Sequence, residues 1–371
     1  MKHVLVTGGA GFIGSHLADE LLAQGYRVRV LDTLAAQVHG DGTRRPAYLH
    51  PNVELQVGDV CDKEAVVRAL QGIDAVFHFA AAVGVGQSMY EIAHYTRTNN
   101  LGTAVLLEAL IASPVAKLVV ASSMSLYGEG LYRDGSGGVH GNCERTLAQL
   151  ERDEWELRGA DGGLLTPLPT PETKAPALAS IYALGKYDQE RMALITGRAY
   201  RMPTVALRFF NAYGPRQALS NPYTGLLAIF ASRLLNDSPP RIFEDGLQQR
   251  DFVSVYDVVR CCRLALESPA ADGEVFNVGS GQPLTVRDIA LRLAQVMGKP
   301  HIEPEITQKY RVGDIRHCYA DITKARKRLG FEPRVKLDDG MAELAAWLKD
   351  QAAVDRVAQA SAELSARGLT V

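Results

Sequence analysis

Val4-Leu5-Val6-Thr7-Gly8-Gly9-Ala10-Gly11-Phe12-Ile13-Gly14 stands near the start of the chain, and Val28-Arg29-Val30-Leu31-Asp32 follows one helix length later. Val4 to Val6 form a short apolar run stopped by glycine, the pattern of a strand buried on both faces. Gly8, Gly11 and Gly14 stand three apart, and Gly9 with Gly11 and Gly14 also satisfies G-x-G-x-x-G. Such glycines supply a tight turn, close approach of backbone to a pyrophosphate, and close packing of helix on strand. Leu17, Leu21 and Leu22 give the intervening helix an apolar stripe, and Gly25 ends it. Its free N–H groups and positive dipole end favour phosphate. Asp32 closes the second strand. A carboxylate there accepts from both ribose hydroxyls and repels a 2′-phosphate, so the expected cofactor is NAD rather than NADP. The competing reading is a glycine turn that merely packs a helix on a sheet.

Outward from that unit, strands at 53–57, 74–79, 117–121 and 204–209 alternate with helices at 63–70, 98–112 and 180–200. The alternation predicts an α/β fold with a Rossmann-type doubly wound parallel sheet, which binds ligands at the carboxyl ends of its strands. A polar loop with Gly40, Gly42 and Pro46 follows Asp32. Asp59 and Val60 follow the third strand; the carboxylate either meets the adenine amino group or caps the next helix. Ala80 and Ala81 follow the fourth strand and are small enough for a cofactor to lie against their backbone. Asn99 either caps a helix or positions catalytic groups. From about 129 to 179 the alternation fails, and within it 144–157 alone reads as helical; this is an inserted flap. The expected division is 1–210 for the NAD domain and 211–350 for a smaller mixed α/β domain interleaved with it. An Ala-rich tail at 351–371 is either a frayed helix or an oligomer contact.

Composition excludes several function classes. The 371 residues are 47% hydrophobic and 22% charged, with a net charge of −2 and no basic block, so nucleic acid is not an expected partner. Five cysteines, none in C-x-x-C spacing, argue for a reducing compartment and against a disulfide framework or a metal cluster. The first strand begins too early for a signal peptide, and no apolar run approaches the roughly 18 residues of a membrane span. The cytoplasm is the expected location, and no membrane is expected as a partner.

Tyr182-Ala183-Leu184-Gly185-Lys186 is Tyr-x-x-x-Lys within a helical stretch. That spacing puts phenol and amine on one face, one turn apart. The ammonium and a cationic nicotinamide both favour the phenolate, which makes Tyr182 a candidate general base. Ser122-Ser123-Met124-Ser125-Leu126-Tyr127-Gly128 places hydroxyls at a strand's carboxyl end, where Ser123 can bond a substrate hydroxyl or a developing ketone.

With these motifs in order, and with Arg208-Phe209-Phe210-Asn211, Arg250-Asp251-Phe252-Val253 and Asn277-Val278-Gly279 after them, the chain resembles the extended short-chain dehydrogenase/reductase family. The likeness is to its nucleotide-sugar epimerase and dehydratase branch and runs to about Trp347. The resemblance implies Ser123, Tyr182 and Lys186 as catalytic residues. It implies a cofactor site of Gly8, Gly11, Phe12, Ile13, Gly14, Asp32, Asp59, Val60, Ala80, Ala81, Asn99, Tyr182, Lys186 and Phe209. Ser123, Asn211, Arg250 and Arg311 match substrate positions, the arginines gripping a diphosphate; the alternative for them is ion pairing with Asp251 and Asp314. Dehydratases of the branch carry an Asp-Glu pair after the catalytic hydroxyl, whereas Met124 and Ser125 stand here. That leaves C4 epimerisation with resident NAD. The stretches 123–132, 168–172, 180–184 and 217–225 look like the dTDP-L-rhamnose 4-epimerase group. Members of that group carry two C-x-x-C pairs in the insert, where this chain has Asp134-Gly135-Ser136-Gly137 and Gly159-Ala160-Asp161-Gly162. The implied substrate is a dTDP-6-deoxyhexose such as dTDP-L-rhamnose, with UDP-hexose or UDP-uronic acid epimerisation or 4-ketoreduction as the alternative. A homodimer built near Leu101 and Tyr182 is implied as well.

Overall fold

The computed structural model describes residues 2–40, 44–311, 313–351 and 353–370; Gly42 of the polar loop lies outside them. Seven strands make a wholly parallel sheet: β1 His3–Thr7, β2 Arg27–Asp32, β3 Glu54–Val57, β4 Ala75–His78, β5 Lys117–Ser123, β6 Thr204–Phe209 and β7 Val275–Val278. Their order is β7-β6-β5-β4-β1-β2-β3. The chain therefore reverses direction across the sheet between β1 and β4, the switch point at which such sheets take ligands. There Thr7 pairs with Leu31 on one side and with His78 on the other.

The apolar runs that predict buried strands are buried on both faces because alternate side chains enter two cores. Val4, Val6, Val119 and Val205 pack with Leu17, Leu21, Val258 and Cys262 on one side. Leu5, Val76, Leu118 and Val120 pack with Leu106, Leu110 and Ala193 on the other. Each such side chain contributes about 1.5–3 kcal/mol by leaving water. A third core, with Phe230, Phe252, Ile289, Leu293 and Met341, holds the smaller lobe. The helix Val255–Glu267 and strand β7 lie far along the chain but complete the first lobe.

Several boundaries differ from expectation. The helix expected at 98–112 is Gly102–Ala112, preceded by a π-helical run Thr96–Leu101. The helix expected at 144–157 is a single turn, Leu147–Leu150. Its apolar residues Trp155 and Leu157 are buried instead in the insert, Leu157 beside Tyr132 and Leu165. The insert is a three-stranded antiparallel sheet, Leu131–Arg133 with Val139–His140 and Thr166–Leu168. In the turns 134–137 and 159–162, Asp134 accepts from Ser136 N, Ser136 Oγ and Gly138 N, and Asp161 accepts from Gly163 N. Ion pairs tie the insert to the smaller lobe: buried Arg145 to buried Glu244 at 2.7 Å, and Glu156 to buried Arg316, which also holds Glu244 and Asp245. In the tail, Val357–Ala366 is a helix. Among the described residues no helix is long and apolar enough to cross a membrane.

Candidate active site

The glycine turn is shaped by contact. Gly8 has φ +68, and a Cβ there would stand 2.8 Å from Ala80 N; a Cβ on Gly14 would stand 2.5 Å from Gly9 Cα. The turn thus abuts the β4 loop, and the first helix, Phe12–Ala23, rests on the turn. That helix starts at Gly11 with no side-chain cap and no acid in its first turn, which suits phosphate. Asp32 is fixed by Ala10 N at 3.0 Å and Leu34 N at 2.9 Å, with His39 Nε2 at 3.7 Å. A carboxylate has about four lone-pair sites, so two remain for ribose hydroxyls. Asp62, not Asp59, caps the helix Lys63–Leu70. Asp59 holds Cys61 N at the strand end, beside the buried Val60. Asn99 is buried in the π-helical run; its amide accepts from Ala82 N and donates to Ala82 O, clamping the loop that begins with Ala80 and Ala81. The residues fit NAD.

The catalytic groups meet above β5. Ser123 is its last residue, and its Oγ accepts from Ser125 N at 3.1 Å and Ser125 Oγ at 2.9 Å. Both acceptor positions are taken, so the Ser123 hydroxyl hydrogen is left to donate into the cavity. Ser180 caps the helix Ile181–Tyr200, and Tyr182 N donates to Ser88 Oγ at 3.0 Å, which sets the phenol at the helix start. Burial raises the Tyr182 phenol, and the Ser123 hydroxyl beside it pulls the other way. Burial draws the Lys186 amine down to about 7, against the attraction of Glu190.

Beneath these groups lies an ion pair that the sequence reading did not single out. Arg208 on β6 bonds both oxygens of Glu190, at 2.7 and 2.9 Å, and Ser122 Oγ donates to the same carboxylate at 2.7 Å. Arg208 also donates to Tyr127 OH, which donates to Asn277 on β7. The motif residues Tyr127, Arg208 and Asn277 therefore brace the ends of three strands. A Glu four residues after Lys186, facing an Arg within an apolar strand, was the available signal.

Ser123, Tyr182, Phe209, Asn211, Arg250 and Arg311 all line one cavity of about 570 Å³. Arg241 and Lys309 join the two arginines there, and among the described residues lining it Asp314 is the single carboxylate. Arg311 does pair with Asp314, at 2.9 and 3.0 Å, while lying over the Phe243 ring. Arg250 does not pair with Asp251: it donates to the carbonyls of Gln249, Ile315 and Arg316. Asp251 is committed to Ser280, Gly281 and Ala320, while Asn211 donates to its carbonyl. The tail closes the cavity with Ser361, Leu364, Ser365 and Thr370. A Cβ on Gly86 would stand 3.3 Å from Leu364, Tyr90 and Tyr223 both bond Glu363, and Thr370 bridges to Arg311.

The chain matches the NAD dependent epimerase/dehydratase family over residues 4–139 and 163–279, a match interrupted inside the insert. It belongs to that family. A dTDP-L-rhamnose 4-epimerase of Burkholderia thailandensis is 34% identical over 94% of this chain and 96% of its own length. The UDP-glucose 4-epimerase of Thermotoga maritima, solved with UDP-glucose, superposes with a TM-score of 0.75 at 33% identity, covering 94% of this chain and 98% of that one. The UDP-glucuronic acid 4-epimerase of Bacillus cereus, solved with UDP-glucuronic acid and NAD, gives 0.76 at 28% identity, covering 94% and 99%. As a member of the NAD dependent epimerase/dehydratase family, the protein is an NAD-dependent isomerase.

Proposed function

We propose that the protein is a nucleotide-sugar 4-epimerase acting on a dTDP-6-deoxyhexose such as dTDP-L-rhamnose. The observation that carries this is the make-up of the cavity that holds Ser123 and Tyr182. Arg241, Arg250, Lys309 and Arg311 supply cations for a diphosphate. Val83, Val85, Met124 and Leu364 line the same cavity as Ser123 and Tyr182 and supply apolar surface suited to a C6 methyl.

NAD, when bound, supplies the hydride acceptor and donor at C4. Lys186 favours the Tyr182 phenolate, Tyr182 takes the proton of the C4 hydroxyl, and Ser123 donates to the oxygen as it becomes a ketone. The arginines hold the diphosphate while the 4-keto sugar turns, and Tyr182 returns the proton once hydride has come back on the other face. Met124 and Ser125 can neither protonate a C6 hydroxyl nor remove a C5 proton, so 4,6-dehydration has no acid–base pair. The same reading puts the enzyme in the cytoplasm, in keeping with five free thiols, and pairs it as a homodimer through the exposed Leu101, which ends the π-helical run Thr96–Leu101, and the exposed Leu184 and Ile195 of the helix Ile181–Tyr200. The test is incubation with dTDP-, UDP- and GDP-sugars without added cofactor, reading C4 configuration by NMR. Turnover of a dTDP-6-deoxyhexose above the others is expected; preference for a UDP-uronic acid or a UDP-hexose would overturn the substrate assignment.

A further inference from the structure

Among the described residues Lys186 has one hydrogen-bond acceptor, Gln189 Oε1 at 2.8 Å, three residues on along the same helix. Gln189 is fully buried, and its Nε2 donates to Thr103 Oγ1 at 2.9 Å and stands 3.3 Å from His78 Nε2. Thr103 spends its hydroxyl hydrogen on Asn99 O at 2.6 Å. The His78 nitrogens lie 2.8 Å from Thr103 Oγ1 and 2.8 Å from Thr7 Oγ1, and Thr7 Oγ1 accepts from Phe79 N and Ala80 N.

One proton assignment satisfies this set. Thr103 has no hydrogen left for His78, so His78 Nε2 carries its own and donates it. His78 Nδ1 then accepts from the Thr7 hydroxyl. Turning the Gln189 amide over would set its NH₂ against the lysine's donors, so the oxygen must face Lys186. Burial, then the charge of Lys186, push His78 down to about 3, and it is neutral.

We infer that Gln189 is a positioning residue for the reaction: its amide oxygen holds Lys186 as an ammonium beside Tyr182 and ties it, through Thr103, His78 and Thr7, to the backbone at Phe79 and Ala80 on which the cofactor lies. The inference rests on the epimerase reading for the role of Lys186. The ionisable groups facing Lys186 are Glu190 on its own helix and His78 on β4, and Tyr182 stands four residues before it on that helix. Glu190 is committed to Arg208 and Ser122, which leaves the neutral amide as the direct partner of the ammonium. The set also explains why a buried polar run crosses an apolar sheet core: each buried donor and acceptor in it has its partner.

The experiment compares wild type with Gln189→Met and Gln189→Glu. Turnover needs phenolate on Tyr182 and ammonium on Lys186, and with NAD bound, whose cationic nicotinamide lowers the phenol, the basic limb of the pH–rate profile reports the lysine. Met removes the acceptor, and that limb moves down by about one pH unit, a roughly tenfold loss of the charged form on the alkaline side. Glu adds a carboxylate, and the limb moves up by a similar amount. In parallel, the Lys186 ¹³Cε resonance of lysine-labelled protein as purified, assigned by its loss in Lys186→Met, titrates lower in the first variant and higher in the second. A purely structural Gln189 would lower activity in both variants with the limb and the resonance unmoved. That result, or movement of both in one direction, overturns the inference. Should Gln189→Met fail to fold, the upward shift in Gln189→Glu decides alone. If the wild type turns over no sugar nucleotide, the epimerase reading fails while the lysine titration still judges Gln189.

Discussion

Changing Glu190 to Gln removes one charge from a site where both partners are hidden, Glu190 at 1% and Arg208 at 5% exposure. The carboxylate accepts three bonds there, two from the guanidinium and one from Ser122. The amide keeps the shape but turns one acceptor into a donor that faces existing donors, and it leaves Arg208 as an uncompensated buried cation. Breaking a buried pair from one side costs about 3–5 kcal/mol. With an unfolding entropy of about 2.1 cal/mol/K per residue, a chain of this size changes by roughly 0.8 kcal/mol per degree, so Tm should fall by about 5 °C. Urea denaturation followed by tryptophan fluorescence measures the first figure and calorimetry the second. The variant should also lose kcat more than it changes KM, because Ser122 next to Ser123 loses its acceptor. The double variant Glu190→Leu with Arg208→Met should recover a large part of the stability, giving a coupling energy of at least about 2 kcal/mol. A single-variant loss below about 1 kcal/mol, or a double variant as unstable as the sum of its singles, would refute the bracing role.

Three further outcomes are expected. Tyr182→Phe should lower turnover by about 10²–10⁴-fold while the protein still purifies with NAD, read by absorbance after denaturation; activity near wild type would remove Tyr182 as the base. Asp32→Ala should weaken NAD and narrow its advantage over NADP in calorimetric titration, and an unchanged ratio would mean that Asp32 does not meet the ribose. Lys186→Met should end turnover yet stabilise the cofactor-stripped protein. The amine goes from an ordinary 10.5 to about 7 on burial, so the unfolded chain binds the extra proton between those values. The cost of Lys186 is then fully present below about pH 7 and is relieved as pH rises toward 10.5. The gain in Lys186→Met should be on the order of 2 kcal/mol at pH 7 and fade by pH 10. A gain that grows with pH would reverse the sign of that account.

The cofactor half was legible because its chemistry is local. The glycine spacing, Asp32 at its strand end and Tyr182 with Lys186 are each marked by residue type and spacing within a short stretch of chain. What escaped the sequence is made at long range. Trp155 and Leu157 suggest an amphipathic helix by spacing, but a three-stranded sheet buries them, and Asp153 at φ 56 breaks the helical path. Asp59 is one candidate cap on sequence for the helix Lys63–Leu70, but that helix starts three residues too late for it, and Asp62 caps it. Arg250 reads as a partner for its neighbour Asp251, yet consecutive strand residues point to opposite faces, and the two side chains never meet. Gln189 and Glu190 read as an ordinary polar pair on a helix until β4, β6 and the helix Gly102–Ala112 close over them.

The tail's position over the cavity bears on how the enzyme is made and handled. The residues that roof the sugar site come almost two hundred positions after Tyr182, so during synthesis the dinucleotide half can form and load while the sugar half still stands open. A purification tag or fusion partner joined beyond Thr370 would emerge beside Arg311, at the cavity both residues line. Fusions at the opposite end begin at the foot of β1, away from that cavity, and are the better choice for kinetic work.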